Sequence, residues 1–283
     1  MDHWDELRTA YAVAQHGTVS GAAAALGVHH ATVIRHVDAL EARLGVKLFQ
    51  RHARGYTPTE AGEELARVAS ATDDQFAQLA ARLTGQGAEV QGELVVTTLA
   101  SLGPRIVPVL ASFQAMHPKV RLRLRTGRRL FRLEYGEAHV AIRAGRPPEE
   151  PDNVVQPIAE IQHALYAAPD YIARRGHPEG DFAGHDFVGP DDDTSASPLM
   201  RWTLANVARE RIVFRADEDG ALEDAVRAGM ALGFLAVDEA AGLVQIAPPR
   251  PEWAARFWLV THVDLHRSAK VQALTRHIKE AFA

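Results

Sequence analysis

Three short apolar stripes of helical period fall within the first 44 residues, and the glycines that separate them point to a compact trio of helices. Trp4, Leu7, Tyr11 and Ala14 recur at steps of three, four and three, which places them on one helix face. That helix ends near Gly17. Ser20 is placed to cap a second, alanine-rich helix through Leu26, and Gly27-Val28 breaks the chain before a third begins near His29. Val33, Val37, Leu40 and Leu44 recur at four, three and four, so the third helix buries that stripe and turns Thr32 and Arg35 outward. Beyond Gly45, Lys47 to Arg51 reads as a short strand, and Arg54-Gly55 as the turn of a hairpin returning through Tyr56.

Two short helices joined by a tight turn, the second with polar groups on its N-terminal half, suit the major groove of DNA. His29, His30, Thr32 and Arg35 are the candidates for that contact. Arg51, His52 and Arg54 on the hairpin are candidates for phosphates or the minor groove. Residues 1–60 hold six Lys/Arg and six Asp/Glu, and five of the six cations fall between 35 and 54. Solvated charges on a small helical domain would give the same count. With a formal net charge of -5 the whole chain cannot coat nucleic acid or anionic lipid through bulk charge, so any DNA binding is local.

The string from Ala22 to Arg51, followed by Tyr56-Thr57-Pro58-Thr59-Glu60-Ala61-Gly62, resembles the N-terminal domain of the LysR-type transcriptional regulators. The alanine-rich second helix, Arg35, Leu40-Glu41, Leu44-Gly45-Val46 and the Thr59-Glu60-Ala61-Gly62 run occur in order and in register. His29, Ile34 and Asp38 depart from the family's usual residues, so no operator sequence carries over. The resemblance implies an all-α winged helix-turn-helix over residues 1–60 with a linker helix behind it. It also implies dimers or tetramers whose paired heads read a pseudo-palindromic operator in double-stranded DNA, with RNA polymerase as a further partner if the protein activates.

Thr57-Pro58-Thr59-Glu60 reads as a capping box with proline at the first helical position, opening a helix that runs to about Leu83. Leu65, Ala69, Thr72, Phe76, Leu79 and Leu83 alternate steps of four and three, a seam that wants a partner helix. Either the sensor domain or a second copy could fill it. Leu65, Phe76, Leu79 and Leu83 are the dimerisation candidates, and the linker with its Gly85-Gln86-Gly87 hinge spans 58–88.

From Gly92 the pattern becomes alternating. Strands are expected at Glu93–Thr98, Val120–Arg125, Ala138–Arg143, Ala164–Ala168, Phe187–Val188, Ile212–Arg215, Ala231–Leu235 and Phe257–His262. Helices are expected at Pro104–Met116, Asp219–Gly229 and Lys270–Phe282. Together they suggest a parallel α/β sheet and a second unit of the same type. This half resembles the effector domain of the same family, a two-lobed α/β fold like the type 2 periplasmic binding proteins. On that reading the effector domain is 89–283, with lobe I at 89–162 and 257–283 and lobe II at 163–256. His139 stands where the family often carries aspartate.

Ligands of open α/β sheets collect at the carboxyl ends of strands. Thr98, Ser101, Leu102, Thr126, Gly127 and Arg143 should therefore line the cleft on one side, with Ser195 and Asp217 across it. Ser101 precedes a helix whose free N–H groups favour an anion, so a small carboxylate-bearing effector is expected.

Other readings are weaker. The chain has no cysteine, which removes thiolate metal sites, disulfides and thiol redox switches. The usual catalytic signatures are missing, and neither an enzyme nor a cofactor is expected. His262, Asp264 and His266 alternate as strand-borne metal ligands would, although Arg267 and Lys270 close behind favour an ordinary surface loop. No run of 18 apolar residues and no secretion leader occur, so a cytoplasmic protein away from the membrane is expected. A secreted solute-binding protein would not account for the DNA-binding head.

Overall fold

The computed structural model describes residues 3–52, 55–83, 90–178 and 182–283. Its head begins with α1 (Trp4–His16), α2 (Val19–Leu26) and α3 (His30–Leu44), each closed by a left-handed glycine at Gly17, Gly27 or Gly45, a conformation that costs other residues. Small side chains let the three helices close on one another. Ala10, Val13, Ala22, Val33, Val37 and Leu40 form their core with Leu48 and Phe49. The α2 cap is Thr18 rather than Ser20: its Oγ1 accepts from the Gly21 N–H at 3.0 Å, and Ser20 already lies inside the helix. The wing is an antiparallel pair, β1 (Phe49–His52) and β2 (Gly55–Pro58), with Phe49 opposite Pro58 and His52 opposite Gly55. Its first strand starts two residues later than the sequence suggests, because Glu41 takes the N–H groups of Leu48 and Phe49.

α4 (Glu60–Leu83) follows the wing directly. Its cap also differs from expectation: Pro58 belongs to β2, and Thr59 accepts from the Gly62 N–H at 3.2 Å while donating to the Lys47 carbonyl at 2.6 Å. At Gly62 the helix lies so close to the wing that an added Cβ would stand 2.0 Å from the Leu48 carbonyl oxygen. The Gly85-Gln86-Gly87 hinge falls outside the described residues.

The larger domain has two lobes. Lobe I contains β3 (Gly92–Thr98), α5 (Gly103–Met116), β4 (Val120–Thr126), β5 (Val140–Ala144) and β6 (Asn153–Ile161). The chain then enters lobe II through β7 (His163–Ala167), α6 (Pro169–Arg175), β8 (Phe187–Pro190), α7 (Pro198–Asn206), β9 (Ile212–Ala216), α8 (Asp219–Arg227), β10 (Gly233–Ala236) and β11 (Val244–Ala247). It returns as β12 (Ala255–His262), α9 (Val263–His266) and α10 (Ala269–Ala281).

The lobe I sheet has the order β4-β3-β5-β12-β6. Only its first three strands are parallel; β12 runs antiparallel to both neighbours, so the expected parallel sheet is mixed. Lobe II joins the antiparallel set β10-β7-β11 to the parallel pair β8-β9 through a bridge between Phe187 and Leu232. Leu94, Val96, Ile106, Leu110 and Phe113 pack with Val271, Leu274 and Ile278 in lobe I. Aromatic edges fill lobe II, with Trp202 and Phe234 against Trp253 at 5.4 and 4.8 Å between ring centres.

Two departures have local causes. His139 is buried, and its Nδ1 accepts from the Val95 N–H at 3.0 Å while its own N–H donates to the Val95 carbonyl at 2.9 Å. The imidazole thus accepts a main-chain hydrogen, which a carboxylate at this position could also do. His262 ends β12 and Val263–His266 turn as a short helix rather than continuing a strand, and among the described residues no three His, Asp or Glu side chains gather as a metal site. No described helix is long and apolar enough to cross a membrane.

Candidate DNA-binding surface and effector cleft

Burial of Val33, Val37 and Leu40 fixes how α3 is rotated, while Leu44, expected in the same stripe, is exposed at the helix end. His29, His30, Ile34 and Arg35 are left exposed and Thr32 half-buried on the opposite side. The turn before α3 leaves an open recess lined by Ser20, Ala24, Gly27, His29 and His30. Among the described residues Arg35 makes no ion pair.

The nearby carboxylates are already engaged. Glu41 is 3 % exposed, and its Oε1 accepts from the N–H groups of Leu48 and Phe49 at 2.9 and 3.2 Å. Its Oε2 takes Lys47 at 2.7 Å and Arg51 at 3.0 Å. Burial by itself would raise the Glu41 pKa, but the hydrogen bonds from Lys47, Leu48 and Phe49 and the charge of Arg51 outweigh it and hold the carboxyl below its ordinary value. Arg51 also reaches Asp38 at 2.5 Å and lies over the Tyr56 ring. Its guanidinium therefore fastens the wing to α3, a structural use that sequence reasoning did not anticipate. His52 bonds across the hairpin to Thr57 at 2.8 Å. Arg54 lies outside the described residues.

On α4, Leu65 packs against the core of the head. Phe76 and Leu79 are exposed, as is Val68, and Trp4 of α1 meets the Phe76 ring edge-on at 6.1 Å. The side chain of Leu83 lies outside what is described.

Between the lobes, a cavity of about 60 Å³ is lined by Ser101, Leu102 and Arg105 from lobe I and by Asp219, Leu222, Glu223, Phe234 and Glu239 from lobe II. His163, at the crossover, also lines it. So little room is far below the several hundred Å³ of typical small-molecule sites, so the lobes are drawn together here. Arg105 spans the gap: both terminal nitrogens reach Asp238 at 2.5 Å, and Nε lies 3.0 Å from Glu239. Asp238 sends its carboxyl low through the Arg105 hydrogen bond, against the opposing effect of burial. Glu223 goes the other way, pushed up to about 7 by burial and then by the charges of Glu239 and Asp219. Burial pushes the His163 imidazole below its ordinary value.

Of the eight residues expected in the cleft, Ser101 and Leu102 line this cavity. Thr98 is buried, and among the described residues its hydroxyl has no partner. Arg143 turns to Glu150 and the Phe131 carbonyl, both at 3.3 Å. Ser195 accepts from the Ser197 N–H at 3.4 Å, and Asp217 is exposed. Thr126 and Gly127 precede Arg128, whose charge, after the hydrogen bonds of Thr194, helps hold Asp192 low. Thr126, Gly127 and Ser195 do not line the cavity. Arg105, Glu223, Asp238 and Glu239 were missed because each, taken alone, reads as a solvated position at a helix or turn.

Comparison with known proteins agrees with this architecture. Residues 4–63 match the family described as bacterial regulatory helix-turn-helix protein, lysR family, and residues 87–283 match the LysR substrate binding domain. An HTH-type transcriptional repressor of Pseudomonas aeruginosa is 28 % identical over 298 residues, covering 100 % of this chain and 93 % of its own. The activator IlvY of Salmonella typhimurium is 35 % identical over 168 residues, 58 % of this chain and 57 % of its own. Among solved structures, full-length AphB of Vibrio cholerae superposes with a TM-score of 0.56 at 20 % identity, covering 99 % of both chains. Full-length LysG of Corynebacterium glutamicum with bound effector Arg gives 0.62 at 21 %, covering 98 % of this chain and 96 % of that one. With both of its domains matched, the chain belongs to the LysR-type transcriptional regulators, which are not enzymes but DNA-binding proteins governed by an effector-binding domain.

Proposed function

We propose that α3 enters the major groove of its operator with His29, His30, Thr32 and Arg35 at the base edges, and that His52 and Arg54 bring the wing to the backbone. Arg51 serves mainly to hold that wing in place. One observation carries the reading: Arg35 stands exposed and, among the described residues, without an ion pair, while Asp38 and Glu41 of the same helix are taken by Arg51 and Lys47. Two copies join along α4 through the exposed Phe76 and Leu79, as a dimer or within a tetramer, and place two heads on a pseudo-palindrome. The protein works in the cytoplasm, and RNA polymerase is its further partner where it activates.

The effector is a small molecule bearing a carboxylate that enters between the lobes, where Ser101 and Arg105 offer a hydroxyl and a guanidinium. Binding competes with Asp238 and Glu239 for Arg105, so it changes how the lobes are held together. The acids on the opposite wall favour an effector that also carries a cationic group. For the closure to reach the DNA, the effector's affinity must differ between the two lobe arrangements.

Purified protein on its own upstream intergenic DNA, in excess unrelated DNA, tests the first part. Arg35→Ala should weaken specific binding by about 1–3 kcal/mol, roughly 5- to 150-fold, and leave non-specific binding unchanged. Equal affinity of the variant and the parent for every duplex recovered by genomic selection would reject the assignment of α3.

A further inference from the structure

The densest basic run of the chain lies outside the winged head. Residues 119–132 hold Lys119, Arg121, Arg123, Arg125, Arg128, Arg129 and Arg132 and no acidic residue, whereas residues 1–60 are formally neutral. All seven are exposed. The run starts in β4, an edge strand of lobe I. Leu122 and Leu124 pack toward the lobe core, so the two-residue period of a strand puts Arg121, Arg123 and Arg125 together on its other face, about 6.6 Å apart. That interval is close to the spacing of successive phosphates along one strand of DNA.

Past Gly127 the loop places Phe131 beneath Arg125 at 5.5 Å and beneath Arg129 at 5.0 Å. Contact with a ring face orients a guanidinium without cancelling its charge. Neutralisation within the chain is partial. Arg123 reaches Glu93 at 3.3 Å, Arg129 reaches Glu137 at 2.7 Å, and the charge of Arg128 acts on the Asp192 carboxyl. Among the described residues Arg121, Arg125 and Arg132 enter no ion pair.

The run also ends beside the head. The turn Leu133–Tyr135 packs against α4, and Arg67 of that helix is near enough to Glu137 for its charge to act on the carboxyl. Arg67 lies seven residues past the start of α4, about 10 Å along its axis. Arginines on an edge strand discourage strand addition, but that purpose stops where the strand does, and this run continues through the loop to the linker helix.

We infer that the exposed arginines of residues 121–132 are a second DNA contact, taking the phosphate backbone of duplex that runs past the winged head. This rests on the head being the sequence-reading element. Phosphate contacts position a protein without reading bases, so the array lengthens the footprint and adds affinity while leaving operator choice to α3.

The test uses full-length protein and a duplex recovered by selection from genomic fragments, and compares the parent with Arg121→Gln/Arg125→Gln/Arg132→Gln, matched for thermal melting and molecular mass. The slope of log affinity against log salt should fall by about 3 for each protomer whose array is engaged, and hydroxyl-radical protection should shrink at the flanks but not at its centre. Arg35→Ala, run in parallel, should instead lose the central protection. An unchanged slope and footprint in the triple variant would overturn the array and leave the head intact. Failure of the parent to select any duplex would remove the head's reading and the array with it.

Discussion

Two arginine–carboxylate junctions, one in the head and one in the cleft, are built in opposite ways. In the head, Glu41 is buried and half of its donors are main-chain N–H groups, those of Leu48 and Phe49. In the cleft, the partners of Arg105 among the described residues are side chains, and the main one, Asp238, is 62 % exposed. Removing the first partner strands buried donors, each worth about 1–3 kcal/mol. Removing the second exchanges an ion pair worth at most about 1 kcal/mol for water. On the proposed function, the contrast separates a part whose shape is kept from a part whose shape changes with the effector.

The largest expected effect breaks the first junction. Glu41→Ala should destabilise the head by about 3 kcal/mol, since two backbone donors lose their acceptor, and abolish operator binding. A urea midpoint equal to the parent's would show that the wing does not depend on this carboxylate. Because the Glu41 pKa is depressed in the fold, its contribution is present above the unfolded-state value, near 4.5, and is lost as pH falls through the lower folded one. Acid titration followed at the head should therefore show a transition that Glu41→Gln removes.

Breaking the second junction should leave stability nearly intact. Arg105→Ala is expected to shift the melting free energy by less than about 1 kcal/mol, yet open the lobes enough to raise the radius of gyration in solution scattering. It should also weaken carboxylate effectors at least tenfold. Unchanged scattering and unchanged effector affinity would mean that the lobes are held by other contacts.

The smallest effect concerns Glu223, whose pKa is raised to about 7 in the fold. A raised carboxyl stabilises fully below its unfolded value, and the benefit is lost as pH climbs through the folded one, so the effector domain should soften between about pH 5 and 8. Glu223→Gln should flatten that profile. At pH 8 it should melt about 2–4 °C higher, corresponding to about 1 kcal/mol after discounting for partial exposure. A parent whose melting temperature is flat across this range would contradict the buried acid.

The head was more legible in the sequence than the cleft, for a physical reason. Val33, Val37 and Leu40 are close in the chain and bury one face of one helix, so their period announces them. The caps were displaced, to Thr18 and Thr59, because a neighbouring hydroxyl one or two residues away competes for the same N–H groups. β6 escaped notice because its residues are mostly half-buried and do not alternate, and Pro157 interrupts the run. The α7 helix was missed behind the Ser195–Ser197 loop, where Pro198 stands at its first turn. The cleft draws on Ser101, Arg105, His163, Glu223 and Glu239, which are brought together only by two chain crossings between lobes. No local pattern encodes such a meeting.

Gly62 has a mechanical consequence. With no room for even a methyl group between α4 and the Leu48 carbonyl, the wing and the first turn of the linker helix have no play between them. The head and the 24-residue helix move as one lever about 36 Å long. Tilting that lever by about 10° at its far end carries the reading helix through about 6 Å, nearly two base-pair steps. On the function proposed above, a slight rotation of the lobes would be enough to bring two heads into or out of phase with the turns of a duplex, without any bending inside the head.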